Sequence, residues 1–164
     1  VGAFDKAVDA CKMILAQDPS NGQHLQRLKD LEAEKTIKEG RTGMMPPMAA
    51  AVGTADDVKN VAQYVLSLSG SAHDSVSASL GKTKFASCAA CHGAEAKGMH
   101  ALGAPNLTDK VWLHGYGEQA IISQIVNGKT SVMPPQASRL TPEQVHVLAA
   151  YVLNLSQATA VATK

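Results

Sequence analysis

The hydrophobic and polar positions of the chain form their clearest helical pattern near the C-terminal end. Residues 141–144, Thr-Pro-Glu-Gln, have the order of a helix start, with Thr as N-cap, Pro at the first helical position and Gln at the third. Val145, Leu148, Val152 and Leu155 then recur at steps of three and four residues, as the apolar side of a helix does. The pattern predicts an amphipathic helix that packs through this side.

The same pattern occurs a second time in the first half of the chain. Residues 40–70 align with residues 128–157 when one residue is inserted, and both segments contain Met-Pro-Pro followed by a run ending in YVLSLS or YVLNLS. Met45 then aligns with Met133, and Tyr64 aligns with Tyr151. The chain therefore contains an internal repeat, which is a strong constraint on its organisation.

Composition limits the kind of protein that these helices can build. The 164 residues are 45% hydrophobic but only 4% aromatic, and the formal net charge is +1. Such a balance gives no strong field for nucleic acid, so no nucleic-acid partner is expected. Aromatic side chains are scarce for a core of this size, and a large apolar cofactor would supply the missing volume.

The ends of the chain and its cysteines bear on its compartment. It has no apolar run of the roughly 20 residues that a membrane span needs, and it begins without Met or a signal-peptide pattern. We expect a processed form or a fragment, associated with a membrane only through a missing anchor or partner subunits. The three cysteines, Cys11, Cys88 and Cys91, do not form a disulfide framework.

Cys88-Ala89-Ala90-Cys91-His92 is a C-x-x-C-H run, the attachment signature of a c-type haem. Two thiols three positions apart lie on one face of a helical turn, where they can add to the two vinyl groups of one haem, and the adjacent imidazole can bind the iron. A redox-active dithiol does not require the following His, and a zinc site needs two more ligands at suitable spacing. We therefore interpret Cys88, Cys91 and His92 as the attachment site of one covalent haem c.

The sixth iron ligand is the next question, because a haem that only transfers electrons usually has a second protein ligand, commonly Met. The candidates after His92 are Met99, His100, His114, Met133 and His146. Met99 and His100 follow too closely to reach the opposite face easily, and His114 and His146 are ordinary surface or packing positions. Met133 lies 41 residues after His92 in a loop stiffened by two prolines. It is the predicted ligand, with an exposed loop methionine as the alternative.

Residues 79–157 resemble a class I cytochrome c domain, through the segments CAACHGAEAKGMHALGAPNLTD, VWLHG, IVNGKTSVMPPQ and LTPEQVHVLAAYVLNLS. They are most similar to the second haem domain of the dihaem cytochrome c subunit of cbb3-type cytochrome c oxidases. The resemblance implies thioether links at Cys88 and Cys91, with His92 and Met133 as axial ligands of the iron.

The resemblance also assigns roles to residues around the iron ligands. The Pro105 carbonyl would orient the His92 ring, as the supporting partners of metal-bound imidazoles do. Gly81 and Phe85 would pack against Tyr151 where the terminal helices cross. Trp112 would lie near the haem propionates, or would serve equally well as a core residue.

The first 70 residues contain no C-x-x-C-H, although residues 40–70 resemble the end of the first haem domain of the same subunit. Residues 2–31 weakly resemble a tetratricopeptide repeat, with an aromatic at Phe4, a small Ala7 and packing positions at Leu25 and Leu28. Met45 is then a loop or buried methionine, or a ligand of a haem supplied by another chain. We expect Cys11 to be a buried free thiol.

The sequence thus predicts an all-α protein in which a class I cytochrome c fold follows a helical hairpin and a haem-less half cytochrome repeat. The expected segments are the hairpin 1–36, the half repeat 37–70, a linker 71–78, the cytochrome domain 79–157 and a tail 158–164.

The predicted function is electron transfer by a single covalent haem c, without catalysis, as a cytochrome subunit of a respiratory oxidase. The expected partners are a donor cytochrome and the acceptor subunit of the oxidase, at the periplasmic face of a bacterial inner membrane. Lysines 82, 84, 97, 110 and 129 could steer an acidic partner. The alternatives are a haem-based sensor or ligand-binding protein with a labile Met ligand, including peroxidase-like activity, and a helical interaction module that carries a cytochrome domain.

Overall fold

A computed structural model of the chain describes the backbone of residues 3–161 and the side chains of residues 5–155. The helices are α1 (Ala3–Gln17), α2 (Gly22–Glu39), α3 (Ala49–Val52), α4 (Ala55–Leu68), α5 (Ser75–Lys84), α6 (Ala86–His92), α7 (Glu118–Asn127) and α8 (Pro142–Val161), with a short 3-10 helix at His100–Leu102. Because α8 continues to Val161, the predicted tail begins as helix, and residues 162–164 and the Phe4 side chain lie outside the described part. No helix within this described part is long and apolar enough to cross a bilayer.

The fold is mostly helical, as the sequence predicts, but it also contains a two-stranded sheet of β1 (Arg41–Met45) and β2 (Lys129–Met133). The two strands are the equivalent segments of the internal repeat. Each has five residues, and neither RTGMM nor KTSVM alternates hydrophobic and polar residues as a predicted strand would. The sequence therefore favoured a loop at both positions.

The start of α8 follows the predicted pattern. The Thr141 N–H donates to Gln144 Oε1 at 2.9 Å, and the Gln144 N–H donates to Thr141 Oγ1 at 3.3 Å, which is a reciprocal capping box. The predicted apolar face is only partly covered, since Val145 is fully buried whereas Leu148 and Val152 are 38% and 50% exposed.

The contacts divide the chain into two compact units. Unit 1 contains the described residues up to Arg41 and those from Met133 onward, and unit 2 contains Thr42–Val132. The segment 42–70 therefore shares a unit with the C-x-x-C-H motif, whereas the segment from Met133 onward shares a unit with α1 and α2. The division differs from the segments that the sequence favoured.

The core of unit 2 forms where α4 packs against α5 and α7. Its buried residues include Val58 and Val61 of α4, Phe85 at the start of α6, and Ile121 and Ile125 of α7. Side chains at these positions recur at helical spacing on α4 and α7, so each helix turns one apolar side inward.

Gly81 marks the closest approach of α5 to α4. A Cβ atom at this position would lie 2.0 Å from the carbonyl oxygen of Asn60, so only glycine allows the two backbones to approach this closely. The Phe85 ring meets the Tyr64 ring edge to face, with centroids 5.2 Å apart. The expected packing of Gly81 and Phe85 against Tyr151 is therefore wrong: Tyr64, the equivalent residue of the other repeat, takes that place, and Tyr151 is 60% exposed.

Unit 1 has two small cores. One contains Val8, Cys11 and Leu31 between α1 and α2, and the prediction of a buried free thiol at Cys11 is confirmed. The other contains Ile37 of α2 with Val145 and Ala149 of α8. The sequence does not predict this second contact, which gives the C-terminal helix a partner outside the cytochrome-like segment.

Equivalent residues of the two repeats make equivalent contacts in the two units. In unit 2, the Met48 N–H donates to the Ile125 carbonyl at 2.8 Å, and in unit 1 the Gln136 N–H donates to the Ile37 carbonyl at 3.0 Å. In each pair the donor follows the Met-Pro-Pro of one repeat, and the acceptor lies just before the strand of the other repeat. Each unit therefore combines the first part of one repeat with the second part of the other.

Candidate haem site

Cys88, Cys91 and His92 lie together on α6, a single short helix. The helix begins after Phe85, which is buried in the core of unit 2. It ends at Gly93, whose φ of 79° lies in the left-handed region that glycine adopts without strain. Cys88 and Cys91 are three residues apart and so share one side of the helix. The structure therefore presents both sulfurs from one rigid element.

Both thiols are free, and they differ in environment. Cys88 is half-buried beside the core, whereas Cys91 is exposed. Burial raises the pKa of the Cys88 thiol, the nearby Cys91 raises it further, and a hydrogen bond with Ser87 partly offsets the rise in pKa. Cys88 is therefore held as a neutral thiol next to an apolar surface.

The His92 ring is held by the loop that follows α6. His92 is buried, and its Nδ1 lies 3.0 Å from the Pro105 carbonyl oxygen. With the proton on Nδ1, the ring donates to this carbonyl, and Nε2 keeps its lone pair for a metal. This is the contact that the resemblance implies for Pro105.

Gly98 lets the loop bring Pro105 to the imidazole. Its φ is +81°, and a Cβ atom there would lie 2.6 Å from both the Ala104 carbonyl oxygen and the Pro105 carbonyl carbon. A side chain at this position would push the two arms of the loop apart. The position of the Pro105 carbonyl thus depends on a glycine that sequence reasoning did not single out.

The loop between α6 and α7 carries an unusual amount of exposed apolar surface. Its large apolar side chains between 39% and 76% exposed are Met99, Leu102, Val111, Leu113 and Tyr116. Trp112 is half-buried against the core, with its ring 5.7 Å from that of Tyr116. Apolar surface beside an attachment motif is what one face of a porphyrin covers.

The candidate sixth ligands occupy different places. Met133 lies at the end of β2, is 39% exposed and belongs to unit 1. Met45 lies at the end of β1, is half-buried and packs against the unit 2 core, as Cys88 and Trp112 do. His92 and Met45 thus lie in the same unit, whereas Met133 belongs to the other. The internal repeat contains both methionines at equivalent positions, so it does not by itself distinguish them.

The histidine candidates have protein partners or lie at the surface. His146 Nδ1 lies 2.8 Å from Glu34 Oε1 within unit 1, and His114 Nε2 lies 2.9 Å from Ser131 Oγ. His100 is exposed in the 3-10 helix. In the described part of the chain, no three His, Cys, Asp or Glu side chains converge into a group that could hold a metal ion.

The donor set fits a covalently attached haem. Two free thiols on one side of a helix, a buried imidazole oriented through Nδ1 and a neighbouring apolar loop are the groups that haem c attachment requires.

Comparison with known proteins gives consistent matches. Residues 79–152 match the family model for cytochrome c oxidase, cbb3-type, subunit III. The chain is 64% identical over 131 residues to the cbb3-type cytochrome c oxidase subunit CcoP of Rubrivivax gelatinosus, covering 80% of this chain and 43% of the relative. It is 42% identical over 121 residues to subunit FixP of Sinorhizobium medicae strain WSM419, covering 73% of this chain and 42% of the relative.

The length of these matches shows that the similarity extends into the first half of the chain. The chain spans less than half the length of these relatives. A match of 131 residues is longer than the 86 residues from Ser79 to the C-terminus. The similarity therefore includes part of the segment before Ser79, where the other copy of the repeat lies.

Proposed function

Since residues 79–152 are a cytochrome c domain of the cbb3-type oxidase subunit III family, we propose that this chain carries single electrons on one covalently attached haem c. The observation that carries the proposal is the C-x-x-C-H helix, with both thiols free and the His92 imidazole already oriented by Pro105. Haem c supplies a one-electron Fe(III)/Fe(II) couple when bound.

Each residue of the site has a defined role in this proposal. The Cys88 and Cys91 sulfurs would hold the haem through thioether bonds to its two vinyl groups, an addition that releases nothing. His92 Nε2 would bind the iron, while the Pro105 carbonyl accepts a hydrogen bond from Nδ1–H and holds the ring in one tautomer. Trp112 and the apolar loop would offer the cofactor an apolar surface.

The intact mass of the denatured chain tests attachment, after production in a bacterial host that attaches haem c. We expect one haem per chain, and none in the double variant Cys88→Ala/Cys91→Ala. Cys11→Ala is the matched control, because Cys11 is a free thiol in unit 1, and it should keep the haem. Attachment that survives the double substitution, or is absent from the unsubstituted chain, contradicts the proposal.

The partners and compartment follow from the family and from the chemistry of attachment. We place the chain at the periplasmic side of a bacterial inner membrane, where haem c is attached, between a small donor cytochrome and the oxidase. Lys84 pairs with Asp57 within unit 2, whereas Lys97 donates only to the uncharged Thr108 hydroxyl. Lys82, Lys97, Lys110 and Lys129 therefore remain as positive charges that would steer an acidic donor. A reduction rate that falls with rising salt would support this role, because screening weakens steering.

A further inference from the structure

We infer that the sixth ligand of the haem attached at Cys88 and Cys91 is Met45, from the other copy of the repeat, and not Met133. The inference rests on the proposed function, since it concerns the haem proposed there. It changes the expected cytochrome domain from a continuous segment into an exchanged one, in which residues 42–70 complete the site of residues 75–132.

Met45 shares its packing with residues of the attachment site. Met45 ends β1 half-buried and packs against the same core as Cys88, Ala89 and Trp112. Its neighbour Met44 is 69% exposed, so the strand turns Met45, not Met44, towards the core. A thioether that is already partly desolvated against this core costs little further desolvation when it binds a metal.

The Met45 backbone is supported by residues of unit 2. Gly128, at the end of α7, has φ of +71°, and a Cβ atom there would lie 2.6 Å from the Met45 carbonyl oxygen. The next two residues are prolines, and the Met48 N–H donates to the Ile125 carbonyl at 2.8 Å. The Met45 backbone is therefore fixed on both sides by contacts within unit 2, as an axial ligand requires.

The helix that follows Met45 makes the contacts expected beside a haem ligand. Tyr64 of α4 contacts Phe85, and α4 lies against Gly81, the contacts that the sequence resemblance assigns to the helix following the ligand methionine. Lys84 of α5 adds an ion pair to Asp57 of α4 at 3.3 Å. Strand β1, Met45 and helix α4 are thus one continuous segment, and its helix makes the contacts that the resemblance implies for the helix after the ligand methionine.

Met133 has equivalent backbone support within unit 1, from Gly40 and from the Gln136–Ile37 hydrogen bond, but it lacks the packing of Met45 against the unit 2 core. It is 39% exposed and shares its unit with α1, α2 and α8. The cysteine of that unit is Cys11, which stands outside any C-x-x-C-H run and is buried between α1 and α2. The helix that follows Met133 packs on Ile37 of α2 rather than on Gly81 and Phe85.

The test uses the full-length chain with haem attached and the variants Met45→Ala, Met133→Ala and Met44→Ala. We expect Met45→Ala alone to lose the methionine–iron charge-transfer band of the oxidised protein and to bind carbon monoxide when reduced. Met44→Ala controls for a change in the strand itself. Loss of the band in Met133→Ala alone, or in neither methionine variant, overturns the inference.

Histidine substitutions keep the test decisive if an alanine variant folds poorly or if both alanine variants lose the band. Met45→His should remain low-spin with two nitrogen ligands and should exclude carbon monoxide, whereas Met133→His should keep the original spectrum. The reverse pattern overturns the inference but leaves the proposed function intact, because intact mass reports attachment separately. Absence of covalent haem from the unsubstituted chain overturns both.

Discussion

At the scale of single residues, the site depends on positions where the backbone leaves no room for a side chain. Gly81 is the clearest, since a Cβ atom would lie 2.0 Å from the Asn60 carbonyl oxygen and 2.8 Å from the Val61 nitrogen. Neither atom belongs to a flexible side chain, so a substitution has to move a helix. Gly22, at the start of α2, is different, because a Cβ atom there would meet nothing within 4 Å.

We predict that Gly81→Ala destabilises unit 2 by about 2–3 kcal/mol, the usual cost of overpacking a tight contact. Gly22→Ala should be neutral or stabilising by up to about 1 kcal/mol, because it restricts the unfolded chain without strain. Denaturant unfolding followed by haem absorbance and by circular dichroism measures both. Equal effects of the two substitutions would contradict the close contact between α4 and α5.

The environment of Asp57 makes the stability of the fold depend on pH in the acid range. Hydrogen bonds from the Thr54 backbone and side chain, followed by the interaction with Lys84, lower the pKa of the Asp57 carboxyl. A carboxyl whose pKa is lower in the folded state stabilises the fold above its unfolded pKa of about 3.9. This stability is lost as the pH falls through the lowered folded-state pKa.

Asp57→Asn should therefore lower stability at neutral pH and reduce the loss of stability on acidification from pH 5 to about pH 2. Asp56→Asn is the control, because Asp56 is exposed in the same first turn of α4 and meets the same helix dipole. Thermal unfolding across this pH range distinguishes them. An acid profile equally flattened in Asp56→Asn would mean that the helix dipole, not the cap, is responsible.

At the scale of helices and strands, the decisive contact is that of α4 with α5 and with Phe85, the residue between α5 and α6. The edge-to-face pair of Tyr64 and Phe85 lies at its centre, and Phe85 is buried. Such ring pairs contribute about 0.5–1.5 kcal/mol beyond their buried area. The equivalent tyrosine of α8, Tyr151, is 60% exposed.

A double-mutant cycle should therefore couple Phe85 to Tyr64 but not to Tyr151. We expect Phe85→Leu and Tyr64→Leu to show a coupling free energy of about 0.5–1.5 kcal/mol, against less than about 0.3 kcal/mol for Phe85→Leu with Tyr151→Leu. Denaturant midpoints of the haem-loaded variants provide the data. Coupling to Tyr151 instead would support a cytochrome domain formed by the continuous segment 79–157.

The sequence predicted the attachment helix and the α8 start because each has a local signature, C-x-x-C-H for one and a capping box for the other. It also predicted the repeat and the buried Cys11. For Phe85 it indicated Tyr151, the wrong copy of the repeat, because YVLSLS and YVLNLS present the same side chains to a partner helix. The choice between the copies depends on long-range contacts such as that of Gly81 with Asn60, which have no local pattern.

At the scale of the whole molecule, equivalent residues of the two repeats lie in different units. Val58 of α4 aligns with Val145 of α8 in the repeat. Val58 is buried in the core of unit 2, and Val145 is buried in unit 1 with Ile37. The two valines have the same chemistry and the same place in their helices but different surroundings.

We predict that Val58→Asp abolishes stable haem ligation, because a buried carboxylate without a partner costs several kcal/mol. Val145→Asp should leave the haem spectrum unchanged and should lower only the helical content attributable to unit 1. Visible absorbance together with far-ultraviolet circular dichroism separates the two effects. A spectrum altered by Val145→Asp and spared by Val58→Asp would assign the haem to the continuous segment.

The direct succession of α4 and α5 has a consequence for how the chain folds. Six residues, 69–74, join α4 to α5, whereas 57 residues, 85–141, separate α5 from α8. Closing the shorter connection costs about 2 kcal/mol less in chain entropy, and contacts close in sequence form early. We therefore expect α4 to pack on α5 early in folding, before the more distant α8 can compete for the same place. Cys88 and Cys91 of the next helix would then meet a partner surface that is already formed when the haem is attached.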